Sequence, residues 1–413
     1  MLKHYFDYAA TTPVDPRVVK VMAPYHSEIF GNPGSLHKFG QEASAAVFKA
    51  RNKISKLMNC DYREVIFTGS ATEANNLALR GTFKALIQNS KIKDQNDNLK
   101  FKNFKPRIIT SQIEHESILE TCRDLEREGA EVIYLPVSKS GIVDLKKLRG
   151  SLNERTVLVS VMYANNEVGS VQPIKEIAKI INIFKEKNSP YPLFHTDAAQ
   201  TFNYLDCDVK DLGVDLMTLS SQKIYGPKGA GLLYVKNFGS VEGKKFISPI
   251  ITGGGQEEGL RSGTENIAGI VGMAEAAQIS FDSRKKETQR LLKLQSYFIE
   301  QIKKIYPKVI SNGPVIGDWR LPNNMNIYFP GKKDLIFKLD MAGFAVSGGS
   351  ACSARLAKPS HVLKAMGLSD EKASESIRVS FGRQTDKPEI GKLLAALKNI
   401  IYGGGIIKNK SIK

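Results

Sequence analysis

VDLMTLSSQKIYGPKGAG, residues 214–231, is a short apolar run that stops at a lysine and continues into a glycine turn. Residues 214–220 read as a strand, and Lys223 stands at its end. Further strand-like runs precede it at 64–68, 107–111, 131–137, 156–163 and 193–197. Amphipathic stretches such as SILETCRDLEREG and PIKEIAKIINIFKEK lie between them. This alternation predicts an α/β fold, a mostly parallel sheet with helices on both faces. Ligands of such folds bind at the carboxyl ends of the strands, so the residues following each run are the ones to inspect.

The chain of 413 residues is long enough for a large core, and 42% of it is hydrophobic. A large domain is expected over 16–284. A smaller α+β domain is expected from 1–15 together with 285–413, where a long charged helix pattern begins. Residues 88–105, QNSKIKDQNDNLKFKNFK, read as a solvated loop insertion. No apolar run spans a bilayer and the N-terminus lacks a signal peptide's apolar core, so no membrane partner and a cytoplasmic location are expected. The cysteines at 60, 122, 207 and 352 form no metal-type spacing, and no metal is expected. The net charge of +17 comes from scattered lysines without a nucleic-acid-binding motif, which reads as a solvated surface.

Polar residues gather just after the strands. TGSATEANN follows 64–68, and its turn at Gly69, Ser70 and Thr72 is either a phosphate cradle at a helix start or simply a capped helix. Asp197 ends the 193–197 run, where it could face a cationic ring nitrogen, and Gln200 lies one turn on. Lys223 could form a Schiff base, or be one more surface lysine of a basic chain. Cradle, carboxylate and lysine on successive strand ends are together the components of a pyridoxal-phosphate site.

GGSACSAR, residues 348–355, sets Cys352 among small residues, and no aspartate or glutamate occurs from Met341 to Ser369. Positive surroundings favour a nucleophilic thiolate; the alternative is a surface loop that happens to hold a thiol. Cys122 shares a helical face with Ile118 and Leu125, which suggests core packing. Cys207 lies between Asp206 and Asp208, charges that disfavour a thiolate. Cys60 is uninformative.

YFDYAATTPVDPRV, GNPGSLH, TGSATEANNLA, EHESILETC, NNEVG, HTDAAQ, SSQKIYGPKG, RSGTEN, GGSACSA and SIRVSFGR occur in order over residues 5–383. In these motifs the chain resembles the cysteine desulfurases of the class V aminotransferase family, pyridoxal 5'-phosphate enzymes of fold type I. The resemblance implies that Lys223 carries the cofactor as a Schiff base and that Asp197 pairs with its ring nitrogen. His115 would stack on the ring and take part in proton transfer. Ala71, Thr72 and Ser220 would hold the phosphate, joined by Thr264 from the second subunit of a homodimer. Asn166 and Gln200 would contact the ring substituents, and Asn32 and Arg378 the carboxylate of L-cysteine. Cys352 would take the sulfur as a persulfide, leaving alanine, and pass it to a protein acceptor such as a cluster scaffold or a tRNA-thiolation enzyme.

The sequence departs from the family's pattern at Gln222, where histidine is usual, and at Gly348, where serine is usual. Gln222 puts one cofactor contact in question, and Gly348 loosens the loop. The lysine-rich C-terminus IIKNKSIK lacks the extension that many relatives use to bind a scaffold. A selenocysteine lyase is the enzymatic rival. An inactive regulatory subunit is the non-enzymatic one, and Gln222 is its only hint.

Overall fold

Strand runs with both faces buried pair into the central sheet. The computed structural model describes residues 4–94, 105–188, 191–238, 246–317, 319–348 and 359–403. Seven strands form the sheet: β2 (Val65–Thr68), β3 (Arg107–Ser111), β4 (Glu131–Leu135), β5 (Thr156–Ser160), β6 (Leu193–Asp197), β7 (Leu216–Ser220) and β8 (Gly231–Val235), numbered after a short N-terminal strand β1 (His4–Tyr5). Their order is β2-β8-β7-β6-β5-β3-β4, and only β8 runs antiparallel to its neighbours. Strands β5 to β8 are buried at every position, as expected of a sheet covered on both faces. The expected mostly parallel α/β architecture is therefore present.

Three expected strands are shorter than their apolar runs: 131–137 ends at Leu135, 156–163 ends at Ser160, and 214–220 begins at Leu216. The expected loop over 88–105 is corrected in part. The helix Ala71–Asp94 continues through 88–94, where no glycine or proline breaks it, and 95–104 lie outside the described residues.

Next to the main sheet, β9 (Ile310–Asn312), β10 (Asn324–Tyr328) and β12 (Ser376–Ser380) form an antiparallel sheet in the order β12-β10-β9. Strand β1 pairs with β11 (Phe344–Ala345), and Asp7 bridges to Ser380. The N-terminal segment thus starts beside the C-terminal strands and runs on toward Lys223. The helix Ile267–Ile305 starts well before residue 285 and passes it without a break. Its first part, rich in Ala, Gly and Ile, is buried over most of its surface against the main sheet's helices, with only a narrow half-buried stripe at Val271, Glu275 and Gln278. Leu291, Leu294, Phe298 and Ile302 of its second part pack in a separate cluster with Phe6, Phe329 and Phe381.

A polar ladder crosses the centre of the main sheet. His195 on β6 is fully buried between Ser160 on β5 (Nδ1 to Oγ, 2.9 Å) and Thr218 on β7 (Nε2 to Oγ1, 3.1 Å). Burial pushes its pKa down to about 4. The ladder ties together β6, which ends in Asp197, and β7, which leads into the turn holding Lys223.

Candidate active site

The carboxyl edge of the sheet opens on the turn after β2. Ser70 Oγ accepts the Glu73 N–H at 3.1 Å, and Glu73 Oε2 accepts the Gly69 N–H at 2.8 Å. Arg261 holds Glu73 from the other side, Nε to Oε1 at 2.8 Å. Ser70 therefore caps the helix, while Ala71 and Thr72 occupy its first turn, whose N–H groups have no intrahelical acceptor. Strand β8 begins against this turn. A Cβ on Gly231 would lie 2.6 Å from the Ser70 carbonyl carbon, so only glycine lets the two backbones approach. Ser220, at the end of β7, is buried beside them in the sheet, paired with Gly231.

Asp197 ends β6 and is 6% exposed. Its Oδ1 accepts the Ala199 N–H at 2.9 Å, and its Oδ2 accepts from Asn75 Nδ2 at 2.7 Å. Asn75 lies on the helix after the cradle and also donates to Ser117 Oγ at 2.9 Å. Ser117 in turn contacts His115 Nδ1, from Oγ at 2.8 Å and from its backbone N–H at 3.1 Å. His115 is the N-cap of the helix Glu116–Arg127, directly beyond the end of β3. Burial lowers its pKa, the Lys223 charge adds to this, and Asp197 opposes it. Asn75 and Ser117 were not among the expected site residues. Both sit in motifs singled out above, yet nothing in their spacing says that they meet.

Lys223 follows β7 in a single 3₁₀ turn. Its Nζ donates to the carbonyls of Ala9 at 2.8 Å and Ala10 at 2.5 Å. Gln200 Nε2 reaches the same Ala9 carbonyl at 3.0 Å, so both residues converge on the N-terminal segment. Asn203 Nδ2 donates to the Lys223 carbonyl at 2.7 Å. The Gln222 carbonyl accepts from both the N–H and the hydroxyl of Thr12, each at 3.0 Å. Its backbone is thereby anchored independently of the side chain.

Arg378 lies mid-strand on β12, and its side chain is 1% exposed. Nη2 pairs with Asp7 Oδ1 at 2.6 Å, Nη1 donates to the Asn166 carbonyl at 2.9 Å, and Nε is buried without an acceptor among the described residues. Asn166 is thus joined to Arg378 through its backbone. Asn32 is exposed, and its Oδ1 accepts the Gly34 N–H at 2.9 Å in a local turn; no described contact brings it to Arg378. Thr264 is exposed and lines a cavity with Thr68, Gly69, Gly229 and Arg261, next to the cradle of its own chain. Cys352 and Arg355 lie outside the described residues.

Cys122 is buried with Ile118 and Leu125, and burial raises its pKa. Cys207 is fully buried. Its pKa is pushed up to about 11 by burial first, with Asp206 only a small addition, so desolvation and not the flanking aspartates is what disfavours its thiolate. Cys60 is pushed up to about 12, again mainly by burial. None of the described cysteines is placed as a nucleophile.

Comparison with known proteins places this edge in context. The family described as Aminotransferase class-V matches residues 4–393. A protein of Dictyoglomus turgidum named cysteine desulfurase IscS is 42% identical over 399 residues, 96% of this chain and 94% of that relative. A solved structure named NIFS-like protein superposes with a TM-score of 0.84 at 35% identity, covering 97% of this chain and 99% of its own. Another, described as SspA in complex with cysteine, superposes with a TM-score of 0.75 at 35% identity, covering 92% of this chain and 99% of its own.

Proposed function

We propose, from the premise that this chain belongs to the aminotransferase class-V family, that it is a pyridoxal 5'-phosphate-dependent cysteine desulfurase. The observation that carries the reading is the meeting of a lysine, a buried carboxylate, a histidine and a helix first turn at one sheet edge. The donor set fits the cofactor. First-turn N–H groups at Ala71 and Thr72, with the Ser220 hydroxyl, suit a phosphate. Asp197 offers a buried acceptor to a protonated ring nitrogen, the Lys223 amine suits the aldehyde, and Gly231 keeps side-chain atoms away from the cradle.

When bound, the cofactor supplies an electron sink for the bonds broken at the substrate's carbons. The protein's residues do the rest. Asp197 would hold a proton at the ring nitrogen. Lys223, whose amine rests on the Ala9 and Ala10 carbonyls, would hold the cofactor through its aldehyde. Arg378 would offer the cysteine carboxylate its buried Nε–H, which has no acceptor among the described residues; Asn32 would be a second contact to that carboxylate, and Asn166 and Gln200 would contact the ring substituents. Cys352 Sγ attacks the substrate sulfur: the Cβ–S bond breaks, an S–S bond forms, and Cβ takes up a proton. The products are L-alanine and a Cys352 persulfide.

The working unit is a homodimer in which Thr264 completes the partner's phosphate site. Exposed Phe30, Leu36 and Phe39 supply apolar surface for that contact. The persulfide passes to a protein acceptor, a cluster scaffold or a tRNA-thiolation enzyme, in the cytoplasm; among the described residues no helix is long and apolar enough to cross a membrane. The large domain of 16–284 would hold the cofactor, and the small domain of 1–15 and 285–413 would carry the Cys352 loop.

The test is to incubate the purified protein and Cys352→Ser with cysteine. The wild type should form alanine and a persulfide at position 352. The variant should bind cysteine, with a change in cofactor absorbance, yet form neither product at more than a small fraction of that rate. Normal turnover in Cys352→Ser would remove the assignment.

A further inference from the structure

Between His115 and Asp197 runs a hydrogen-bonded chain whose proton positions can be counted. Asp197 Oδ2, 2.7 Å from Asn75, can only accept, so the nitrogen of the Asn75 amide must face it. The same nitrogen has one remaining hydrogen, and that hydrogen points at Ser117 Oγ, 2.9 Å away. Since Ser117 Oγ receives a hydrogen there, its own hydrogen is available for His115 Nδ1 at 2.8 Å. The backbone N–H of Ser117 aims at the same nitrogen from 3.1 Å. Both donors share the lone pair of Nδ1, which leaves no place for a proton on it. Asn75 is fully buried and Ser117 nearly so, so water does not offer either an easy substitute.

We infer that Asn75 and Ser117 are positioning residues that lock His115 as a neutral imidazole with its hydrogen on Nε2. The helix start works in the same direction. His115 caps the Glu116–Arg127 helix, whose positive end disfavours an imidazolium. The titratable groups around the ring are Lys223 and His361, whose charge would oppose protonation, and Asp197 and Glu116, whose charge favours it. The first pair comes from the 3₁₀ turn after β7 and the helix His361–Ala365, and His361 is held there by its contact with the Glu114 carbonyl at 2.9 Å. A ring in this state donates from Nε2 and cannot take up a proton at that atom. His115 therefore acts as a hydrogen-bond donor over the site and not as a general base. Asn75 adds a second effect, because its amide couples the orientation of the Asp197 carboxylate to that of the imidazole.

This consequence for turnover rests on the desulfurase reading, but its test does not. The full-length holoprotein, labelled with ¹⁵N at its six histidines, would be followed by NMR from pH 5.5 to 8.5, with His115→Asn used to assign the signal. The expected result is a bare Nδ1 and a protonated Nε2 across this range. Ser117→Ala and Asn75→Ala should raise the His115 pKa by roughly one pH unit or somewhat less, the worth of one lost hydrogen bond to the neutral form. Ser117→Thr, which keeps the hydroxyl, should restore the wild-type signal. An Nδ1–H tautomer or an imidazolium at pH 7 in the wild type would overturn the inference. So would unchanged His115 signals in both alanine variants. These shifts are read whether or not alanine is formed, so failure here is distinct from failure of the proposed activity.

Discussion

Arg378 and Asp7 are joined at 2.6 Å although they stand near opposite ends of the chain, and the guanidinium is almost wholly buried. The pair fixes the fork of Arg378 before any substrate arrives, leaving Nε–H as a buried donor without an acceptor among the described residues. A substrate carboxylate would supply that acceptor.

Removing Arg378 should therefore do two things. Arg378→Ala is expected to weaken cysteine binding roughly ten- to a hundredfold, the loss of a charge-assisted pair. It should also lower stability by about 3 kcal/mol, since Asp7 is left without its partner. Asp7→Asn separates the two effects: it should reduce stability while Arg378 still binds cysteine within about tenfold of the wild type. Titration of cysteine into the holoprotein, with denaturant unfolding alongside, checks both. Loss of cofactor in parallel with loss of cysteine binding would point to a folding role instead.

Lys223→Ala should abolish the borohydride-reducible link between protein and cofactor while leaving the circular dichroism spectrum unchanged. The amine's acceptors, the Ala9 and Ala10 carbonyls, belong to a segment that is also held by the β1–β11 pairing and the Thr12–Gln222 contacts. The fold should thus survive the loss. Mass spectrometry after reduction decides it, and a retained covalent cofactor would exclude Lys223.

Gln222→His should tighten cofactor retention about fivefold, corresponding to about 1 kcal/mol for one improved hydrogen bond. Because the Gln222 backbone is pinned by Thr12, the substitution changes the side chain alone. Dialysis against phosphate, followed by measurement of bound cofactor, gives the comparison. A natural protein without cofactor or alanine formation, beside a variant with both, would favour the inactive-subunit alternative.

Glu114 gives a pH signature. Fully buried next to His115, it accepts from Ser111 Oγ at 2.5 Å and the Met162 N–H at 3.0 Å. Burial, the largest influence, raises its pKa from 4.5 to about 8. A carboxyl raised in the folded state contributes stability that is fully present below pH 4.5 and is lost as pH rises toward 8. His195, lowered to about 4, acts in the opposite sense, since its stability is lost as pH falls below 6.5. The two oppose each other below pH 6.5, and only Glu114 acts between 6.5 and 8. Stability should fall in that upper window by up to about 1.4 kcal/mol per pH unit. Glu114→Gln should flatten the decline. Urea midpoints at pH 6.5, 7.25 and 8 read it directly, and equal slopes in the two proteins would show that Glu114 is not the group responsible.

The sheet and the placement of Asp197 and Lys223 at strand ends were legible in the sequence, whereas His115 entered only through the family resemblance. Mostly apolar, buried strand runs and the polar residues following them are local patterns, and a parallel sheet aligns all such ends on one edge. Strand β8 was missed although GLLYV is a five-residue apolar run, because its antiparallel course does not follow from alternation with helices. The long helix was misplaced at its start because its first part buries most of its surface and leaves only a narrow half-buried stripe, a weak amphipathic signal. What holds the site in register came only from the tertiary structure: Asp7 on Arg378, Asn75 between Ser117 and Asp197, and the Ala9 carbonyl shared by Lys223 and Gln200. Each of these contacts joins residues far apart in the chain through one or two polar atoms. Composition and periodicity report which residues a segment buries against its neighbours; they carry no record of which distant donor meets which acceptor, and folding alone makes that choice.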